Sequence, residues 1–338
     1  MIASQAHTLV DLGSTHFHRS DYQQAIDCYG QALTLAYELD DRFMLARALG
    51  SLATVHCALG RYGEAIQGHQ QALEVWRDLN DQLGEVINLY NLGLAYQRQG
   101  CYQEASNAQQ QSLALCRELD DQYGVVYALN ALGEISCHQG QHEQAESYLQ
   151  QALQVSCSLG ARSLEPVALT RLADVYGQQH RTGEATTHYK RALAICRETG
   201  SPDGEADALI GTSHILVATG QITQAQACLT TALTLARQTR DPYQQARALQ
   251  GLATACHAGG QHDQAGQHEQ QARDIHTALG ITLPATTYTQ PLGSPTPGKQ
   301  APSRNERRTE TCRKFHQDFK EDSVRLVVVA RESYMTVR

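Results

Sequence analysis

The chain has 338 residues, 41% of them hydrophobic and 18% charged, with four Phe and one Trp. That balance predicts a folded protein whose helices close on small residues rather than around a large aromatic core. The net charge of −8 divides unevenly, with 17 basic and 29 acidic residues over 1–280 and 10 basic and 6 acidic from Gly298 onward; the acidic body argues against nucleic acid as a ligand of the folded part.

The opening MIASQAHTLVDLG lacks the basic and apolar regions of a secretory signal. No run of about 18 apolar residues follows it, so a cytoplasmic location without membrane contact is expected. From Ala25 a step of forty residues meets Ala65, Ala105, Ala145, Ala185, Ala225 and Ala265. From Ala32 the same step meets Ala72, Ser112, Ala152, Ala192, Ala232 and Ala272. Seven repeats therefore fit residues 1–280 without insertion or deletion, near 1–40, 41–80, 81–120, 121–160, 161–200, 201–240 and 241–280. A fixed period of this length is the signature of a solenoid.

Each repeat reads as two helices. In the second, Leu45, Leu49, Leu52 and Val55 recur at helical spacing. Gly60 then ends the first helix, because glycine takes the left-handed conformation without penalty. Tyr62 opens a second helix whose inner face carries Ala65, Ile66, Ala72, Leu73 and Trp76. The alanines let two backbones approach, and a bulky side chain there would force them apart. Caps are expected at Asp41, Asp81, Asp121, Ala161, Ser201 and Asp241, with Pro202 and Pro242 in the first turn after the last two. Past Leu283 the period fails. Residues 281–338 are rich in Pro, Thr, Ser and Arg and are expected to form a disordered linker and basic tail, with one β-prone run at Leu326–Ala330.

Groups that carry chemistry are sparse. The ten cysteines form no CxxC pair and follow the repeat, Cys57 matching Cys137 and Cys116 matching Cys196, so they read as reduced structural thiols. The histidines, including His16, His18, His138, His142, His257, His262, His268 and His276, show no HExxH or Cys/His ligand spacing, so no metal or other cofactor is expected. No nucleophile elbow, paired carboxylates or phosphate loop stands out, and no enzymatic role is expected.

The layout NLGLAYQRQGCYQEA at 91–105 resembles the tetratricopeptide repeat through Leu92-Gly93, Tyr96, Gly100, Tyr102 and Ala105. Its period is longer than the usual ~34 residues, as in the forty-residue arrays of kinesin light chain. His180 in place of the turn glycine and Thr212-Ser213 in place of Leu-Gly are departures. The resemblance implies an all-α fold, a right-handed superhelix (α-solenoid) of about seven antiparallel helix pairs, with first helices lining a concave groove. By the same resemblance the groove positions include Arg47, Asn91, Arg98, Asn130, Glu134, Arg171, Asp174 and His214. Asn91 stands where related arrays hold a peptide backbone with an amide, which both donates and accepts. Arg47, Arg98 and Arg171 suit a ligand carboxylate.

The closing repeats, RQTRDPYQQARALQGLATACHAGGQHDQA at 237–265, resemble those of actinobacterial regulators of the SARP and STAND type. In that family a DNA-binding domain and a nucleotide-binding module precede the array, and this sequence has no GxxxxGK[ST] loop. Two expectations follow. One is a partner-docking or sensor arm of a cytoplasmic regulator that binds a protein or peptide segment in the groove. The other is a structural module that packs on the remainder of such a regulator, or forms a homodimer through the uncapped first repeat around Leu9 and Leu12.

Overall fold

The computed structural model describes residues 2–278, with side chains from residue 5 onward; the expected linker, tail and β-prone run lie outside the described residues. Among the described residues there are fourteen α-helices and no strand. They pair in chain order: α1 (Ile2–His18) with α2 (Tyr22–Glu38), α3 (Arg42–Ala58) with α4 (Tyr62–Asp78), and α5 (Gln82–Gln99) with α6 (Tyr102–Glu118). The series continues with α7 (Gln122–His138) and α8 (His142–Ser158), α9 (Glu165–Gln178) and α10 (Thr182–Thr199), α11 (Pro202–Ala218) and α12 (Ile222–Gln238), and α13 (Pro242–Ala258) and α14 (His262–Ala278). These are the seven antiparallel pairs of a solenoid. None of the helices is long and apolar enough to cross a membrane.

The turns halve the forty-residue period. A residue with positive φ stands every twenty positions, from Ser20 and Asp40 through Gly60, Asn80 and Gly100 to Arg240 and Gly260. At each turn except that at Gly200, whose N–H goes to the Cys196 carbonyl, the chain doubles back by the same hydrogen bonds. After α4, for example, the Asn80 N–H donates to the Arg77 carbonyl at 3.0 Å and the Asp81 N–H to the Trp76 carbonyl at 3.0 Å, which closes the helix end. The next residue caps the following helix where it has an acceptor. Asp41, Asp81 and Asp121 accept from Met44, Gly84 and Gly124 at 3.0, 2.9 and 3.0 Å, and Asp241 accepts from Tyr243 and Gln244.

Ser201 makes no such side-chain bond, and Ala161 has no acceptor to offer. After Ala161 the chain first makes a 3₁₀ turn, Arg162–Leu164, and α9 begins one turn late with Pro166 in its first turn. Pro166 has no N–H for the Arg162 carbonyl, so an α-helical start at residue 162 would lack that bond.

The backbone divides into two compact units, with the boundary inside α7 between Ala128 and Leu129. In the N-terminal unit, Ala25, Ala32, Ala65, Ala72 and Ala105 are fully buried, and Ser112 takes the sixth small position. Their cores include Cys57, Ile66, Leu73, Leu89 and Leu92, with Trp76 against Ala46 and Ala72. In the C-terminal unit, Ala145, Ala152, Ala185, Ala192, Ala225, Ala232, Ala265 and Ala272 are equally buried, around Leu149, Leu172, Tyr189, Leu229 and Leu249. The larger residues of the second helices seat against glycines of the first. A Cβ on Gly93 would stand 2.5 Å from Gln109 Nε2, on Gly133 2.5 Å from Leu149 Cγ, and on Gly251 2.5 Å from Leu229 Cδ2.

Nine described cysteines are free, and Cys28, Cys57, Cys116, Cys196 and Cys256 are buried as small apolar residues. Cys157 is the departure, being exposed.

Candidate functional site

Residues three, four and seven apart share a helix face. In the N-terminal unit such stripes on the first helices are His7, Asp11 and Ser14 on α1, Arg47, Ser51 and Thr54 on α3, and Ile87, Asn91, Leu94 and Arg98 on α5. In the C-terminal unit they are Glu134 and His138 on α7, Arg171, Asp174 and Gln178 on α9, Asp207 and His214 on α11, and Arg247 and Thr254 on α13. Seven of the eight predicted groove residues fall on this one register. Asn130 stands beside it.

Two of the three arginines matched to a ligand carboxylate are already paired within the protein. Arg47 Nη2 donates to Asp11 Oδ1 at 3.3 Å, and its Nη1 lies 3.3 Å from His7 Nδ1. Arg171 Nε lies 3.5 Å from Glu134 Oε2, and its Nη1 lies 3.5 Å from Asp174 Oδ2. Tyr189 donates its hydroxyl to Asp174, and His138 Nε2 stands 3.9 Å from Glu134 Oε1. One helix pair further on, Arg247 Nη1 donates to Asp207 Oδ1 at 2.6 Å. These bridges join neighbouring first helices and hold the stripe's polar groups in fixed rotamers.

The electrostatics follow from this burial. Burial raises the Asp174 carboxyl to about 6, against the opposing pull of Arg171 and of the Tyr189 hydrogen bond. The same surroundings push the Tyr189 phenol well above its ordinary value. Crowding by protein and then the Arg247 guanidinium lower the His214 imidazole. Because that ring is exposed to water, repulsion by Arg247 is the firmer of the two causes.

Asn91 and Arg98 differ from the rest. Asn91 is only 7% exposed, yet its amide makes no side-chain hydrogen bond to any described residue. Arg98 is 6% exposed, and its Nη2 is buried without a partner. In the C-terminal unit Asn130 is buried too, with Oδ1 unpartnered. A groove of about 520 Å³ also lies between α4 and α6, floored by Leu73, Leu89, Leu92 and Tyr96. None of the predicted residues lines it.

Sequence reasoning named Arg47, Glu134, Arg171 and Asp174 but missed Asp11 and the pairing of these charges. The repeat step carried the signal, because Asp207 and Arg247 occupy the same position of successive repeats with opposite charge. It also missed that His257 meets His262 at 3.3 Å and Glu269 at 3.0 Å across the last helix pair. Among the described residues, no group of three or more His, Cys, Asp or Glu is placed to hold a metal ion.

Comparison with known proteins agrees with this architecture. The tetratricopeptide repeat model matches residues 4–78, 84–158, 164–237 and 205–278. No curated protein sequence matches. A Rap protein complexed with Competence and Sporulation Factor is 16% identical, with a TM-score of 0.65 over 81% of this chain and 76% of that one. The apo form of the quorum sensor NprR from B. thuringiensis is 15% identical, with a TM-score of 0.61 over 81% and 77%. A signal transduction ATPase (STAND) protein with a tetratricopeptide repeat sensor, from Pyrococcus horikoshii, is 18% identical, with a TM-score of 0.58 over 82% of this chain but 42% of that one. These likenesses are of fold. With model matches running from residue 4 to residue 278, and seven helix pairs bearing the small residues and turns such a repeat requires, the chain belongs to the tetratricopeptide repeat family.

Proposed function

We propose that the stripe of first-helix residues forms a groove that binds an extended peptide or protein segment, as the partner-docking or sensor arm of a cytoplasmic regulator. The observation that carries this reading is Asn91: an enclosed residue whose amide bonds to no described side chain or backbone is free to bond another chain's backbone. On the same register the ion pairs of Arg47, Arg171 and Arg247 hold part of the polar groups in place before a ligand arrives, which lowers the entropy lost on binding. Support comes from the company of the fold: one similar protein is described in complex with a factor, one as a quorum sensor, and one as carrying a repeat sensor. The test is binding of peptides selected on the full chain. Asn91→Ala is expected to weaken them about tenfold, the worth of one or two amide hydrogen bonds; unchanged affinity overturns the reading.

A second reading rests on Leu12, which is 44% exposed on α1. An open apolar side chain on that helix offers a contact for self-association or docking. Light scattering decides it: dimers that Leu12→Lys dissociates support this reading, and monomers at all concentrations oppose it.

A further inference from the structure

The groove between α4 and α6 has a covered counterpart in the same chain. Leu89, Leu92, Tyr96 and Glu104, which line it, recur eighty residues on as Leu169, Leu172, Tyr176 and Glu184. Of the seven repeats, only these two carry tyrosine at that position. In the C-terminal unit the ring is covered. Arg181 lies 4.3 Å from the centre of the Tyr176 ring and pairs with Glu184 and, at 3.5 Å, with Glu146. The His188 ring packs on Tyr176 at 5.1 Å, and the tyrosine is 4% exposed. In the N-terminal unit those two covering positions are Cys101 and Ala108. Neither supplies a cation or a ring, and Tyr96 stays half-buried beside a groove of about 520 Å³. Glu104 keeps its place without the arginine, and Glu74 joins it in the lining. Among the described residues neither carboxylate has a partner. Arg77 also lines the groove but is already bonded to Glu85 at 2.7 Å and Gln111 at 3.3 Å.

We propose that this second-helix groove docks an arginine side chain from a basic segment of a partner protein, its guanidinium taking the place over Tyr96 that Arg181 takes over Tyr176. The apolar stem lies on Leu73, Leu89 and Leu92, and the head meets Glu104 and Glu74 at the rim. A planar guanidinium both stacks on a ring face and forks onto a carboxylate, which an ammonium does not. A neutral apolar occupant would leave both acids without a counter-charge. The excess of acidic residues over 1–280, 29 against 17 basic, draws a basic segment towards this surface. None of the first-helix residues assigned to a peptide lines the groove, so the two sites stand or fail independently.

The experiment selects twelve-residue peptides with one central arginine and random flanks on the full chain carrying Asn91→Ala, which takes the first-helix stripe out of the selection. The resynthesised binders are then measured by fluorescence anisotropy. Replacing the peptide's arginine by citrulline, its neutral isostere, should weaken binding tenfold or more, and replacing it by lysine should weaken it less. Tyr96→Phe keeps the ring and should retain the affinity, whereas Tyr96→Leu and Glu104→Gln should each weaken binding about threefold or more. Cys101→Arg together with Ala108→His rebuilds the cover of the C-terminal unit and should abolish binding while circular dichroism keeps the helix content. Citrulline peptides that bind equally, binders indifferent to Tyr96→Leu and to the double variant, or a selection that enriches nothing would each overturn the proposal. The chain's own basic residues are the competing occupant. If tight binding appears only after Arg304, Arg307, Arg308, Arg313 and Lys314 are all changed to Gln, the chain fills its own groove and the partner assignment is overturned.

Discussion

Arg171 and Arg98 carry the same charge on first-helix faces, yet their removal has opposite consequences. Arg171 stands between Glu134 and Asp174, both largely enclosed. Arg171→Met strands those carboxylates and should lower the unfolding free energy by about 3–5 kcal/mol, the usual result of breaking a buried pair. Arg98→Met strands nothing and, by removing a buried charge that no described carboxylate pairs, should raise the unfolding free energy. Urea denaturation of the two variants measures both. The pH dependence also has two signs. Asp174, raised to about 6, is protonated more readily folded than unfolded. Its contribution is fully present below its unfolded pKa of about 3.9 and is lost as pH rises through 6. His69 is buried beside Asn88 at 3.3 Å, and burial lowers its pKa to about 4 despite that hydrogen bond. The unfolded chain therefore binds its proton first, and stability is lost as pH falls from the ordinary histidine value of about 6.5 towards 4. Hydrogen exchange across pH 4–7 should show the N-terminal unit weakening on acidification and His69→Gln abolishing that trend, while Asp174→Asn removes the opposite slope in the C-terminal unit.

At the scale of the element, a helix pair is two rods closed on alanine and bent at a left-handed residue. Ala145 is fully buried, so Ala145→Leu should destabilise by about 1–3 kcal/mol through overpacking. Arg240 holds the left-handed turn at φ 55, so Arg240→Gly should stabilise by about 0.5–1 kcal/mol by removing the Cβ strain; thermal melts read both changes. Most of this level is legible in the chain itself. The alanine step and the Asp41, Asp81, Asp121 and Asp241 caps follow from spacing and side-chain chemistry alone. The turns between pairs are harder to see. Asp40, Asn80 and Asp120 adopt the left-handed conformation that glycine adopts at Gly60, and beside the capping aspartate the first and last read as acidic pairs. Short polar side chains tolerate that region, so a glycine search passes over half of the punctuation.

At the scale of the whole molecule, the repeats build the frame and the positions that break the repeat carry the candidate recognition. Placement on a face was legible, since the helical period and the forty-residue step together put Arg47, Asn91, Arg98, Glu134, Arg171, Asp174 and His214 on one register. Pairing was not, because it is decided by side chains 36 and 37 residues apart, as in Arg47 with Asp11 and Arg171 with Glu134. Only the folded arrangement shows that two arginines are engaged and that, among the described residues, Asn91 and Arg98 are left over. The central claim is that a peptide lies along the first helices. It is tested most directly by hydrogen exchange of the full chain with and without a selected peptide. Slowed exchange concentrated in α5, and lost with Asn91→Ala, is the predicted result. Protection confined to the second helices α4 and α6, around the 520 Å³ groove over Leu73 and Tyr96, would contradict it.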